Sequence, residues 1–118
     1  MEKFLVTLPL TGEYLTTVRL TTGGLCALVG FNVDETEDFK VCVTESLLIL
    51  KRNGFSSALI EFSVDETLRC ELVGETLSSQ KEEGIEDEIS RALLSALLGK
   101  VEFAQSADGR TERIQFEG

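Results

Sequence analysis

The chain contains no histidine. That removes every Ser-His-Asp and Cys-His arrangement. There is also no Cys-x-x-C pair, so an ordinary zinc site or thiol redox motif is excluded as well. Basic residues are scarce, 11 Lys and Arg against 21 Asp and Glu, for a net charge of −10. A protein that binds nucleic acid must replace phosphate counterions with Lys and Arg, and this composition argues against it. It suits solubility and permits a basic protein partner; a solvated acidic surface is the simplest account of it. No apolar run reaches the length of a membrane span. The opening MEKFLVTLPL turns polar too soon for a signal peptide, so the expected location is cytoplasmic. No internal repeat, linker or low-complexity segment interrupts the chain. Its three cysteines, Cys26, Cys42 and Cys70, are odd in number, far apart and set among apolar residues. They read as small buried hydrophobes.

What is present is enough apolar material for a core. Hydrophobic residues make up 42% of 118, which fits one compact domain over residues 1–118. The organising stretch is Val18 to Asn53, two helices joined at Gly30-Phe31-Asn32-Val33. The second helix is expected to start with Asp34 as its cap and Glu37 completing a capping box. Lys51 and Arg52 suit its negative end, and Asn53-Gly54 stops it. Phe39, Val41, Cys42, Val43, Leu47, Leu48, Ile49 and Leu50 give it more apolar surface than a one-sided helix needs. It therefore reads as central, with Glu45 as the one acid inside its apolar run.

The rest falls around that helix. Lys3 to Leu8 is a strand that Pro9 ends or confines to an edge. Tyr14 to Val29 is the first helix, weakened by Gly23-Gly24 at about 1 kcal/mol per glycine. Ala58 to Val64 and Leu68 to Val73 alternate as a hairpin about Asp65-Glu66-Thr67. Gly74 to Gly84 reads as a polar loop. Ile85 to Leu98 is a third helix, with an expected core stripe of Ile85, Ile89, Ala92, Leu93, Ala96 and Leu97. Lys100 to Ser106 and Arg110 to Phe116 form a second hairpin about Ala107-Asp108-Gly109. The order predicts an α+β two-layer sandwich: a mixed, mostly antiparallel sheet of about five strands with three helices on one face. The other face of that sheet is left open, with Leu59, Val73 and Ala104 on it; this face or the first helix is the expected surface for a partner or a second copy.

The run Arg19-Leu20-Thr21-Thr22-Gly23-Gly24, Gly30-Phe31, Asp34 to Asp38 and Val41-Cys42-Val43-Thr44-Glu45 resembles the opening of the anti-sigma factor/serine-protein kinase family. Those proteins belong to the GHKL superfamily of histidine-kinase-like ATPases. Ile89 to Phe103 is similar to the family's last helix and following strand, and Gly109 to Phe116 fits its final strand. The resemblance implies the same sandwich. It also implies ATP between helices and sheet, a divalent metal bridged to an Asn on the central helix, and a Glu one turn earlier as general base.

Glu45 matches that carboxylate, whereas the Asn position is Ile49, which has no oxygen for a hard cation. Asn53 stands where the family often has His and reads more simply as the helix stop. The adenine-reading D-x-G-x-G is represented by Glu71-Leu72-Val73-Gly74-Glu75, with one glycine and no Asp. The glycine-rich lid is replaced by the short acidic Gly74 to Gly84 loop. There Glu82 and Glu83 would repel a triphosphate, and Ser90 stands at a family glycine. These departures point to an anti-sigma-factor-like domain that acts by protein binding, with no cofactor. The implied partner is a sigma factor or an anti-anti-sigma domain, and a homodimer is a further expectation. Two alternatives are an active ATP-dependent serine-protein kinase, with ATP and magnesium, and a purely structural or oligomerisation domain.

Overall fold

A computed structural model describes residues 2–82 and 84–118. In chain order the elements are β1 (Glu2–Pro9), α1 (Gly12–Leu28), α2 (Val33–Arg52), β2 (Phe55–Val64), β3 (Leu68–Leu77), α3 (Glu86–Leu98), β4 (Val101–Gln105) and β5 (Thr111–Glu117). The five strands form one sheet in the order β1-β2-β3-β5-β4. Every neighbouring pair is antiparallel. The fold is the expected α+β sandwich and is consistent with a GHKL-like fold. No helix among the described residues is long and apolar enough to cross a membrane.

The alternation in the hairpins decides which face is covered. Ala58, Ile60 and Phe62 of β2, Leu68, Cys70 and Leu72 of β3, and Ile114 and Phe116 of β5 are buried. Against them α2 contributes Phe39, Cys42, Val43, Leu47, Ile49 and Leu50, also buried. Phe39 sits between Phe31 and Phe116, with ring centroids 5.9 and 5.2 Å away. Each large side chain buried this way stabilises the fold by roughly 1.5–3 kcal/mol. The three cysteines are free and buried, as read from their apolar setting. On the opposite face Leu59 and Val73 are half-buried and Ala104 is exposed. Pro9 pairs with Ser57 at the end of the edge strand β1, where a missing N–H costs no ladder bond.

Three expectations are corrected. First, α2 is capped by Asn32, not Asp34. The Asn32 carboxamide oxygen accepts the Glu35 N–H at 2.8 Å, and Glu35 accepts the Asn32 N–H at 2.9 Å. The reciprocal box therefore lies two residues earlier, and Asp34 and Glu35 supply the first-turn charge. Second, Gly74 to Leu77 is strand, not loop. Gly74 is there because the Phe55 ring crosses it; a Cβ would lie 2.5 Å from Phe55 Cγ. Third, α3 is rotated away from its apolar stripe. Ile85, Ile89, Ala92 and Ala96 are exposed, while Ser90 and Leu94 are buried.

Candidate functional site

Glu45, Ile49, Arg52 and Asn53 follow one another at helical spacing on the flank of α2 that meets α3. Gly54, at φ +98°, then turns the chain into β2. Across the seam α3 presents Asp87 and Ser90, the residues three apart that its rotation turns inward.

The side chains form a connected set. Arg52 Nη1 donates to Asp87 Oδ1 at 2.7 Å, and Arg52 Nη2 donates to the Ser90 hydroxyl at 3.0 Å. Ser90 in turn donates to Glu45 Oε2 at 3.0 Å. Glu45 and Arg52 approach to 4.0 Å. Asn53 Nδ2 donates to Ile49 O at 2.8 Å and to Asp87 Oδ2 at 3.1 Å. Its Oδ1 accepts the Thr111 N–H at 3.0 Å. Arg110 Nη1 donates to Asn53 O at 2.7 Å and to Ser79 O at 2.8 Å, so the loop after β3 joins the same cluster. Beside it, Arg91 bonds the Thr111 hydroxyl and lies 4.6 Å from the centre of the Phe103 ring.

Each residue singled out from the sequence has a definite place here. Glu45 is half-buried, its side chain 26% exposed, and is held by Ser90 and Arg52. Ile49 is fully buried and offers no ligand atom. Asn53 is fully buried, and both ends of its carboxamide are engaged; it stops the helix and also ties it to α3 and β5. Glu71 is in β3 between two core residues, Cys70 and Leu72, and pairs across the sheet with Glu61 and Gln115. It therefore belongs to the open face, on the far side of the sheet from α2. Glu82 is exposed and its N–H donates to Arg52 O at 2.7 Å. Glu83 lies outside the described residues. Arg52 read from sequence only as a charge complementing the end of α2, and Asp87 lies in the acidic first turn of α3, where the helix dipole alone accounts for it. The one signal for Arg52 was spacing, since it stands seven residues after Glu45, two turns along the same face.

Among the described residues no group of three or more Cys, Asp or Glu is placed to hold a metal ion. The concavity at this seam is about 180 Å³, lined by Arg52, Glu82, Gly84, Glu86 and Asp87. That is below the roughly 300–1,000 Å³ of ordinary ligand pockets. Its lining sets three carboxylates against one guanidinium. A larger trough of about 660 Å³ crosses the open sheet face, where Lys3 pairs with Glu61 at 3.3 Å and Arg69 with Glu117 at 2.8 Å.

No family model matches the chain. The chain is similar to the serine-protein kinases RsbW of Bacillus thuringiensis (strain Al Hakam), Bacillus mycoides (strain KBAB4) and Bacillus cereus (strain B4264). In each case 27% of residues are identical over 63, which is 53% of this chain and 39% of the relative. The aligned part is thus half of this chain and about two-fifths of the curated relatives it matches. That likeness supports the resemblance noted in the sequence.

Proposed function

We propose that this chain is an anti-sigma-factor-like regulatory domain that works by binding a protein partner, without bound ATP. One observation carries the reading: the α2–α3 seam is closed by its own side chains. Glu45, Arg52, Asp87, Ser90 and Asn53 bond one another. A triphosphate entering there would displace an ion pair and meet Glu82, Glu86 and Asp87. Ile49 gives a bridging magnesium no oxygen. These residues do not fit a metal-bridged nucleotide. The similarity to RsbW supports the regulatory class. The partner suggested by the resemblance is a sigma factor or an anti-anti-sigma domain.

Calorimetry with ATP and magnesium tests this. No binding heat is expected up to millimolar nucleotide. A micromolar Kd, about −8 kcal/mol, would overturn the proposal.

A second reading is an active serine-protein kinase. The printed name of the relatives favours it, as does the acid kept at position 45. Transfer of labelled phosphate from ATP to a serine of a co-purified partner, lost in Glu45→Gln, would establish it.

A further inference from the structure

We infer that the outer face of α3 is a docking surface for an amphipathic helix of another protein, one that carries Lys or Arg in its last turn. The first observation is where the apolar stripe of α3 points. Ile85, Ile89, Ala92 and Ala96 lie on one side of the helix at spacings of four, three and four, and all are exposed. Ile85 and Ile89 are 67% and 59% exposed. The seam with α2 fixes the rotation of α3 through Asp87 and Ser90. It does not require the outward positions to be apolar. Lys, Glu or Gln there would serve the helix as well or better and would leave no apolar patch in water.

The second observation is the relief of that side. Its carboxyl half is low, made of the exposed Ala92, Ser95, Ala96 and Gly99. Its amino half carries the two isoleucines one turn apart. A helix laid along α3 can approach the backbone closely at the low end, while Ile85 and Ile89 enter the partner's apolar stripe at the other. Recognition of one helix by another uses anchors at this spacing.

Charge selects the occupant. Glu82, Glu86 and Glu88 are exposed around the amino end of the stripe and form no ion pair among the described residues. Beyond them no acid occurs between Glu88 and Glu102. The surface is thus acidic at one end and neutral at the other. A partner helix is itself stabilised by Lys or Arg in its last turn. Laid antiparallel to α3, it sets those cations against the three carboxylates. A second copy is a poorer fit, since its own α3 ends in a single cation, Lys100, and it adds a net charge of −10. The inference shares with the proposed function only the premise of a protein partner.

Titration of the isotope-labelled full chain with a synthetic helical peptide of about 15 residues, Leu along one side and Lys in the last turn, tests it by nuclear magnetic resonance. Signals of α3 should move, with a Kd of about 50 μM that weakens as salt rises. Moving the lysines to the first turn of the peptide should cost at least about fivefold in affinity, and replacing them with Glu should abolish binding. Ile85→Glu with Ile89→Glu should lose the peptide and keep the wild-type melting curve, because both positions are exposed. Glu86→Lys with Glu88→Lys keeps the stripe and should reverse the preference toward the Glu peptide. No binding up to about 1 mM, signals moving outside α3, or binding that survives the isoleucine changes would overturn the inference. So would sedimentation at twice the chain mass that the isoleucine changes abolish, which would give the face to a second copy. A parallel ATP titration separates the two claims: nucleotide binding would strike the closed seam and leave the peptide result standing.

Discussion

Helix α2 meets a helix on each flank, and the two contacts are made of different material. Against α1, the side chains sealed from solvent are Val18, Leu25 and Cys26, with the threonine Thr22 bonded back to Val18 O at 2.8 Å. Against α3 the contact is Glu45, Arg52 and Asn53 with Asp87 and Ser90, and Leu94 is the one apolar side chain of α3 that is fully buried. Apolar burial is non-directional and tolerates sliding. Hydrogen bonds to charged groups are directional and fix a rotation. The polar seam is why α3 shows Ile85 and Ile89 to solvent: turning them inward would pull Asp87 and Ser90 away from Arg52 and leave it half-buried and unpaired.

The α3 flank is most sensitive at Leu94, its one fully buried apolar side chain. Leu94→Ala removes the apolar anchor of α3 and should lower stability by about 3 kcal/mol, as for other fully buried leucines. Urea unfolding measures it. A loss below about 1 kcal/mol would mean that polar contacts alone hold α3 in place.

Arg52→Ala should follow at about 2 kcal/mol. Breaking a buried ion pair costs roughly 3–5 kcal/mol, and the side chains of Arg52 and Asp87 keep 20% and 18% exposure, which reduces that figure. Arg52→Met with Asp87→Leu should recover more than half of the loss, because both charges then leave together. A single-variant cost under about 0.5 kcal/mol would make the seam an ordinary surface pair. The contrast between flanks is sharpest in mild changes. Arg52→Lys gives up the planar fork that serves Asp87 and Ser90 and should cost about 1 kcal/mol. Leu25→Met on the apolar flank should cost about half that. Equal costs would erase the distinction drawn here.

These differences explain what could be read from the sequence. The hairpins were legible because alternation is local: Ala58, Ile60 and Phe62 face one way whatever covers them. The start of α2 was legible to within two residues, because Asn32 and Asp34 are both competent caps and the helix register decides between them. The end of β3 was hidden, since Gly74-Glu75-Thr76-Leu77 lacks strand composition. It is held instead by its neighbour: Phe55 pairs with Leu77, and the Ser57 hydroxyl donates to the Thr76 hydroxyl at 2.8 Å. Glu45 and Asn53 were found as positions, whereas their partners were not. Arg52 and Asp87 are 35 residues apart, and each has a sufficient local role at a helix end. Periodicity assigns the inner face of a helix by hydrophobicity, and α3 is docked by charge.

The thiols report on the core beneath both flanks. Burial raises Cys26, Cys42 and Cys70 above the ordinary 9.0, Cys42 to about 12, with Asp38 and Glu45 adding to the burial effect at Cys42. A raised thiol contributes stability that is full below the unfolded value and lost as pH rises through the folded one. Stability should therefore decline from pH 9.0 toward about 12. The native protein should also resist thiol reagents at neutral pH and yield all three cysteines on unfolding. Native labelling at Cys26 before the others would show that the α1 flank opens first.

The smallest effect is expected at Glu45. In Glu45→Gln the carboxamide oxygen still accepts from Ser90, and the nearest contact to Arg52 is 4.0 Å, too long for a hydrogen bond. Arg52 keeps Asp87 at 2.7 Å. The change should move stability by less than about 1 kcal/mol, as at other partly exposed positions. Partner affinity should be unchanged, because the side chain faces α3. A loss of several kcal/mol would mean that the Glu45 charge, not Asp87, holds Arg52. An intact fold that had lost a phosphotransfer activity would instead make Glu45 a working base and decide for the kinase reading.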